Sequence, residues 1–186
     1  MIREEHIGPN LRRLREQRGF TLQDLSMMTS FTKGYLSKIE NSGKAPPVST
    51  LLALAKALDV DISELFGSAG APTRFALLRR AERSSVSRDA SESGYTYEPL
   101  APNYSTKRME PFLIRIPMTQ AEDAVFRHEG EEMLFVLRGT MRFFFGEDEH
   151  HLREGDCIYF DSGVAHHGYS IGATEAECLV VIWAAQ

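Results

Sequence analysis

The apolar positions of this chain change their period part-way along it. In the first third they recur every three or four residues: Ile7, Leu11 and Leu14; Leu22, Leu25 and Met28; Leu36 and Ile39; Leu51, Leu54, Ala55 and Leu58; then Leu65 and Phe66. That is the spacing of helices that each bury one face. The aliphatic stem of Arg18 extends the first stripe. The residues between the stripes predict five short helices. Gly19 stops the first, and Thr21 with Asp24 opens the second in a capping-box arrangement. Thr32 caps the third, Pro46-Pro47 breaks the chain before a fourth capped by Ser49, and Asp61 with Glu64 caps a fifth. Helices with such short connections make a compact bundle.

From Phe75 onward the pattern becomes that of strands. Runs at 75–78, 95–97, 112–116, 134–137, 141–145, 157–160 and 178–183 are short and β-favouring, mostly separated by Gly, Pro or acidic turns. They predict an all-β sandwich or barrel. Residues 84–94 read as a loop. Glu147-Asp148-Glu149 with His150-His151 reads as a solvated hairpin turn, and Phe143, Phe144 and Phe145 read as core. Between the halves, 67–73 is small and apolar-poor, which divides the chain into 1–66, a linker at 67–74, and 75–186. As a coil that linker reaches ~15 Å.

A length of 186 residues suits two small domains. No apolar run approaches the ~20 residues of a membrane span, and the first residues lack the apolar core of a signal peptide. Cys157 and Cys178 are too few for a disulfide framework and read as small buried strand residues. A cytoplasmic protein without membrane contact is expected. Residues 1–66 hold nine Lys/Arg against eight Asp/Glu, whereas the remainder holds twelve against eighteen. Any contact with nucleic acid therefore belongs to the N-terminal half. Its cations Arg12, Arg13, Lys33, Lys38 and Lys44 must then gather on one face.

The second and third helices, joined by a tight turn, make a helix-turn-helix. The third would enter the major groove and present Lys33, Gly34, Tyr35, Ser37 and Lys38. The string Thr32-Lys33-Gly34-Tyr35-Leu36-Ser37-Lys38-Ile39-Glu40-Asn41 resembles the recognition helix of the phage-repressor-like (XRE) family. Leu11-Arg12-Arg13-Leu14-Arg15-Glu16 and Ser49-Thr50-Leu51-Leu52-Ala53-Leu54-Ala55 match that family too, so the resemblance spans 7–66. It adds Gln23 and Thr32 to the DNA-facing set, with Asn41 and Lys44 as backbone contacts. It also implies a structural ion pair between Glu40 and Arg15.

In the second half, Phe126-Arg127-His128-Glu129-Gly130-Glu131-Glu132 is followed after six residues by Gly139. Further on comes Gly155-Asp156-Cys157-Ile158-Tyr159-Phe160-Asp161-Ser162-Gly163-Val164-Ala165-His166. Together they resemble the two motifs of the cupin family over about 108–183, which implies a double-stranded β-helix barrel. The family's metal site draws three histidines and a glutamate from these motifs. His128, Glu132 and His166 fall on three of those positions, Phe126 stands on the other histidine position, and Asp161 replaces the usual proline. Two histidines and one carboxylate can hold iron(II) with open coordination positions. The implied cofactor is a divalent transition metal (iron, zinc, nickel or manganese). The competing reading is a degenerate site whose polar residues contact an organic effector directly. His167 would point to the face opposite His166 if that segment is a strand.

No nucleophile elbow, phosphate loop or paired cysteines at zinc spacing are present. The two resemblances imply a DNA-binding transcriptional regulator, with repression favoured. It would act as a homodimer or higher homo-oligomer on a near-palindromic operator, with a small-molecule effector in the barrel. A second function class is a mononuclear iron-dependent oxygenase or epoxidase, for which Tyr97, Arg115 and Tyr159 would be the substrate anchors. A third is a module whose helices dock protein, against which the clustered cations speak.

Overall fold

The computed structural model describes residues 4–67, 74–85, 94–104, 107–118 and 125–183. The linker at 68–73 and most of the loop at 84–94 lie outside these residues. Five α-helices come first: α1 (Ile7–Gln17), α2 (Leu22–Thr29), α3 (Lys33–Asn41), α4 (Val48–Leu58) and α5 (Ile62–Leu65). Eight strands follow: β1 (Thr96–Pro99), β2 (Met109–Ile116), β3 (Glu131–Arg138), β4 (Thr140–Phe145), β5 (Asp148–Arg153), β6 (Cys157–Asp161), β7 (His166–Ser170) and β8 (Ala176–Trp183). The architecture is an all-α bundle joined to an all-β cupin barrel.

Local chemistry sets the helix ends. Thr21 and Asp24 form the reciprocal capping box of α2, Asp61 and Glu64 that of α5, and the Thr32 hydroxyl caps α3. The expected cap on α4 is displaced by two residues: Pro47 is the N-cap and Ser49 already lies inside the helix. Two stripe positions also differ. Arg18 ends α1 on the surface, reaching across to Asp59, and Arg15 is buried in its place. Met28 is 49% exposed, because α2 is only eight residues long and packs mainly through Leu25. Helix α1 crosses α3 so closely that a Cβ on Gly8 would lie 2.5 Å from the Ile39 carbonyl oxygen. Only glycine permits that approach. Beside it, Arg15 donates to both carboxylate oxygens of Glu40 at 2.6 and 2.9 Å and to the Phe20 carbonyl at 2.8 Å. Both partners are buried.

The barrel consists of two antiparallel sheets, ordered β1-β2-β8-β3-β6 and β5-β4-β7. Alternation along the strands turns Ile114, Leu134, Met141, Phe143, Val180 and Ile182 inward. Four expectations fail here. Residues 75–78 form no strand, and Phe75 and Leu77 are exposed. Asp148 to His151 belong to β5, paired with β4, so the turn is confined to Gly146 and Glu147. Of the three phenylalanines, Phe143 is core, whereas Phe144 faces outward and stacks on His167 at 4.7 Å between ring centroids. Cys157 is exposed at the start of β6, while Cys178 is buried and its thiol is pushed up to about 12 by desolvation.

Helices and barrel meet through charged groups. Lys107 Nζ lies 3.1 Å from Asp61 Oδ1 and 3.5 Å from Glu110 Oε2, and donates to the Tyr104 carbonyl at 3.0 Å. The lysine side chain is only 5% exposed. Burial raises the Glu110 carboxyl to about 7 in spite of Lys107, and the nearby Asp61 charge adds to the rise. A carboxyl raised on folding stabilises below its unfolded value and loses that contribution as pH climbs through the folded one. Stability should therefore fall between about pH 4.5 and 7, by up to roughly 2–3 kcal/mol from this group. Glu110→Gln should flatten that slope in urea titrations across the window, and an unchanged slope would remove Glu110 as its source.

Candidate functional site: an exposed recognition helix and a barrel cavity

Helix α3 is fixed from beneath by buried Leu36 and Ile39, and at its start by the Thr32 hydroxyl, which accepts the Tyr35 N–H at 3.2 Å. Thr32 is thus engaged in capping. Lys33, Gly34 and Lys38 are exposed, while Tyr35 and Ser37 are half-buried, the tyrosine set edge-on to Phe31 at 5.6 Å. Asn41 is exposed on the last turn and donates to the Ser37 carbonyl at 2.8 Å. Lys44 follows in a turn closed by its own N–H on Ser42 Oγ at 2.9 Å, and Gln23 is exposed in the first turn of α2. Arg12 and Arg13 are engaged along their own helix with Glu16 and Gln17. A Cβ added to Gly34 would meet nothing within 4 Å. Packing inside the chain therefore does not call for this glycine, which weakens the helix relative to alanine.

The second site is a cavity between the sheets, open to solvent on one side, with about 560 Å³ of empty space counting its solvent-facing mouth. Its walls are apolar, with Tyr95, Tyr97, Phe126, Phe143 and Phe160 among them, and its polar end is made by His128, Glu132 and His166. Glu132 comes from β3 and His166 from β7, while His128 sits on the segment leading into β3. Glu132 Oε1 lies 2.6 Å from His128 Nε2 and 3.4 Å from His166 Nε2, and one donor atom from each residue falls within 4.8 Å of the others. Metal–donor bonds of ~2.0–2.2 Å at tetrahedral or octahedral angles put neighbouring donors roughly 3–3.6 Å apart. The far ring nitrogens face carbonyls: His166 Nδ1 is 2.9 Å from Val164 O, and His128 Nδ1 is 3.3 Å from Glu129 O. Without a metal, each Nε2 lies within reach to donate to Glu132 Oε1. A metal would replace that proton, while a proton on each Nδ1 would satisfy the carbonyls, the arrangement found behind metal-binding histidines. These residues fit a divalent transition metal.

Electrostatics prepare the same set. Burial alone would raise the Glu132 carboxyl, but hydrogen bonds and charge from His128 and His166 outweigh it and hold it at about 2. Burial works against the charged form of His128, yet its contact with Glu132 leaves it raised. Phe126, on the position of the absent ligand, exchanges backbone hydrogen bonds with His166 at 2.8 and 3.0 Å. Its ring stands edge-on to Tyr95 at 5.1 Å. An aromatic wall thus takes the place of a fourth donor and leaves one side of the cluster open to the cavity.

A helix-turn-helix family profile matches residues 11–65 and a cupin domain profile matches residues 112–182. The chain is 39% identical over 59 residues to the uncharacterized HTH-type transcriptional regulator y4dJ of Sinorhizobium fredii, covering 77% of that protein and 32% of this chain. The chain belongs to the helix-turn-helix transcriptional regulators. It is also 24% identical over 165 residues to the HTH-type transcriptional regulator PuuR of Escherichia coli, with 86% of this chain and 84% of that protein covered. Among solved structures, an HTH_3 family transcriptional regulator from Vibrio cholerae superposes over 98% of this chain and 97% of its own at a TM-score of 0.67 and 24% identity. Iron(II) HppE in complex with substrate shares the fold over 97% of this chain and all of its own, at a TM-score of 0.50 and 21% identity.

Within this helix-turn-helix regulator, two of the three expected substrate anchors lie outside the cavity. Arg115 is on the outer face of the five-stranded sheet, paired with Glu98 at 3.1 Å and Glu177 at 3.4 Å. Tyr159 is 67% exposed and donates to Glu131 at 2.6 Å. The period of two explains both errors: Ile114 and Phe160 face the cavity, so their sequence neighbours cannot. Tyr97 does line the cavity. Tyr95 went unnoticed, although its i, i+2 relation to Tyr97 was a usable signal. Its hydroxyl donates to the Gly168 carbonyl and pins β1 to β7. Val48 and Ser49 of α4 also line the cavity, and no sequence pattern connects a helix start to a barrel interior.

Proposed function

We propose that this regulator binds a near-palindromic operator as a homodimer, as a repressor, and that a small molecule in the barrel cavity controls its occupancy. The units at 1–66 and 75–186 divide these tasks between reading and sensing. The observation that carries the DNA-reading part is the outer face of α3. Lys33, Gly34 and Lys38 are exposed there around a glycine that internal packing does not require. A bare backbone flanked by lysines suits close approach to a groove edge and its phosphates. Gln23, Asn41 and Lys44 border the same region, and a two-fold dimer would set two α3 helices ~34–36 Å apart.

Lys38→Ala tests this. Operator affinity measured by fluorescence anisotropy from about 50 to 200 mM salt should fall, with the salt slope reduced by about 1. Equal affinity and equal slope would take α3 out of the groove. His128, Glu132 and His166 would hold the metal, which would supply an anchoring point for a donor group of the effector. A metal-dependent oxygenase is the second reading, and the open two-histidine, one-carboxylate set favours it. Against it stands the cavity wall, where neither Arg115 nor Tyr159 is available to anchor a polar substrate.

A further inference from the structure

The effector cavity is not enclosed by the barrel alone. Val48 and Ser49, in the first turn of α4, line it together with His128, Glu132 and His166. Two other contacts place the helical half on the barrel. Lys56, two turns along the same helix, pairs with Glu129 beside His128, and Asp61 at the cap of α5 pairs with Lys107. The segment from α4 to α5 therefore lies against the barrel at three points. Val48 is buried and Ser49 half-buried, so neither belongs to the free surface of the DNA-reading half.

We propose that Val48 and Ser49 are effector-contacting residues, and that the cavity takes a mainly apolar, ring-sized molecule with a single polar group. The inference rests on the sensing role proposed above and adds which residues of the reading half touch the ligand. Lining chemistry sets the class: aromatic and aliphatic side chains form the body of the cavity. Besides the histidine–glutamate end, the polar lining is Ser49, Tyr95, Tyr97 and His167, of which the Tyr95 hydroxyl is taken by the Gly168 carbonyl and the His167 ring is stacked on Phe144. A second charged group on the ligand would lose its hydration against apolar walls with nothing to compensate it. A ligand filling this space contacts α4 directly, and α4 packs on α2 of the helix-turn-helix. Its effect on DNA affinity would then equal its differential fit to the DNA-competent arrangement of α4 and any other.

The test places a tryptophan at the wall. In a Trp183→Phe background, Ser49→Trp supplies the sole tryptophan, and 4-bromophenol serves as an apolar probe with one polar group whose bromine quenches only on contact. Saturable quenching that disappears when Ile182→Phe fills the cavity is the expected result. Quenching that rises linearly with probe, or that is unaffected by Ile182→Phe, would overturn the proposal. If the tryptophan variant does not fold, Val48→Ala provides the measurement instead. Calorimetric affinity for 4-bromophenol should fall about fivefold as one side of the contact is removed, and an unchanged affinity would overturn the proposal equally. Operator binding by the Lys38→Ala pair involves no cavity ligand, so a failure of the DNA-reading role shows separately from a failure here.

Discussion

Glu40→Ala should lower folding stability by about 3–5 kcal/mol, the largest effect expected of any single substitution in the helical half. Arg15 and Glu40 join α1 to α3 through a two-pronged contact at 2.6 and 2.9 Å, and both side chains are more than nine-tenths buried. Glu40 is the main cause of the raised pKa of Arg15. Removing it withdraws that support, but the intrinsic basicity of a guanidinium still keeps Arg15 charged. What remains is the hydrogen bond to the Phe20 carbonyl and the half-exposed Glu16 carboxylate at 3.6 Å, so the buried cation loses its two-pronged, buried partner. Replacing both partners by apolar residues of similar volume, as in Arg15→Met with Glu40→Leu, should restore most of the loss, because the pair itself repays little more than its desolvation. Urea midpoints for the two single variants and the double variant decide the matter. A Glu40→Ala loss below about 1 kcal/mol would mean that water reaches the pair and solvates Arg15.

The position of that pair explains why so much of the helical half was legible. Caps are local chemistry, and Thr21 with Asp24, Thr32, and Asp61 with Glu64 each act within one turn of where they stand in the sequence. The Arg15–Glu40 contact spans 25 residues and came from family resemblance rather than periodicity. Gly8 was invisible because its requirement is a backbone on another helix, the Ile39 carbonyl, and nothing near it in sequence announces that contact. Ser49 was misjudged as a cap for a related reason. Pro47 already holds the extended backbone that precedes a helix, so α4 starts two residues earlier.

In the barrel, the strands richest in apolar residues were read correctly and the polar ones were missed. Strand β5 carries Asp148, Glu149, His150 and His151, and it exists because β4 offers it a complete hydrogen-bonding edge, from Thr140 opposite Arg153 to Phe145 opposite Asp148. Conversely, 75–78 had the composition of a strand but no partner among the described residues. Strand identity is settled by pairing, which composition records only in part. The trio of His128, Glu132 and His166 could be named from motif spacing because both motifs are short. The cavity walls could not, since Arg115 and Tyr159 differ from their inward-facing neighbours only by a one-residue phase.

His166→Ala should reduce metal affinity by more than 100-fold while leaving the affinity of folded protein for bare operator within about threefold. Loss of an outer hydrogen-bond partner of a metal ligand already costs 10–100-fold, and loss of a ligand itself should exceed that. Two donors would remain, too few for a stable closed or open site. His166 is 4% exposed and tied to Val164, so its orientation is prepared before any metal arrives, and among the described residues no other His, Cys, Asp or Glu joins the cluster to substitute for it. His167 is excluded because its ring stacks on Phe144 on the other face of β7. The same variant has an acid signature in metal-free protein. Glu132, held at about 2 when folded, stabilises above about pH 4.5 and loses that contribution as pH falls towards 2. Without His166 its carboxyl rises, so the acid-unfolding midpoint should move to higher pH. Metal content after dialysis against excess iron(II) or zinc(II), read alongside operator anisotropy, separates the outcomes. Full metal occupancy in the variant would refute the three-residue site. Folded, metal-free variant that no longer binds operator would make the filled site a requirement of the DNA-competent arrangement, with the effector then acting on a pocket that must already hold its ion.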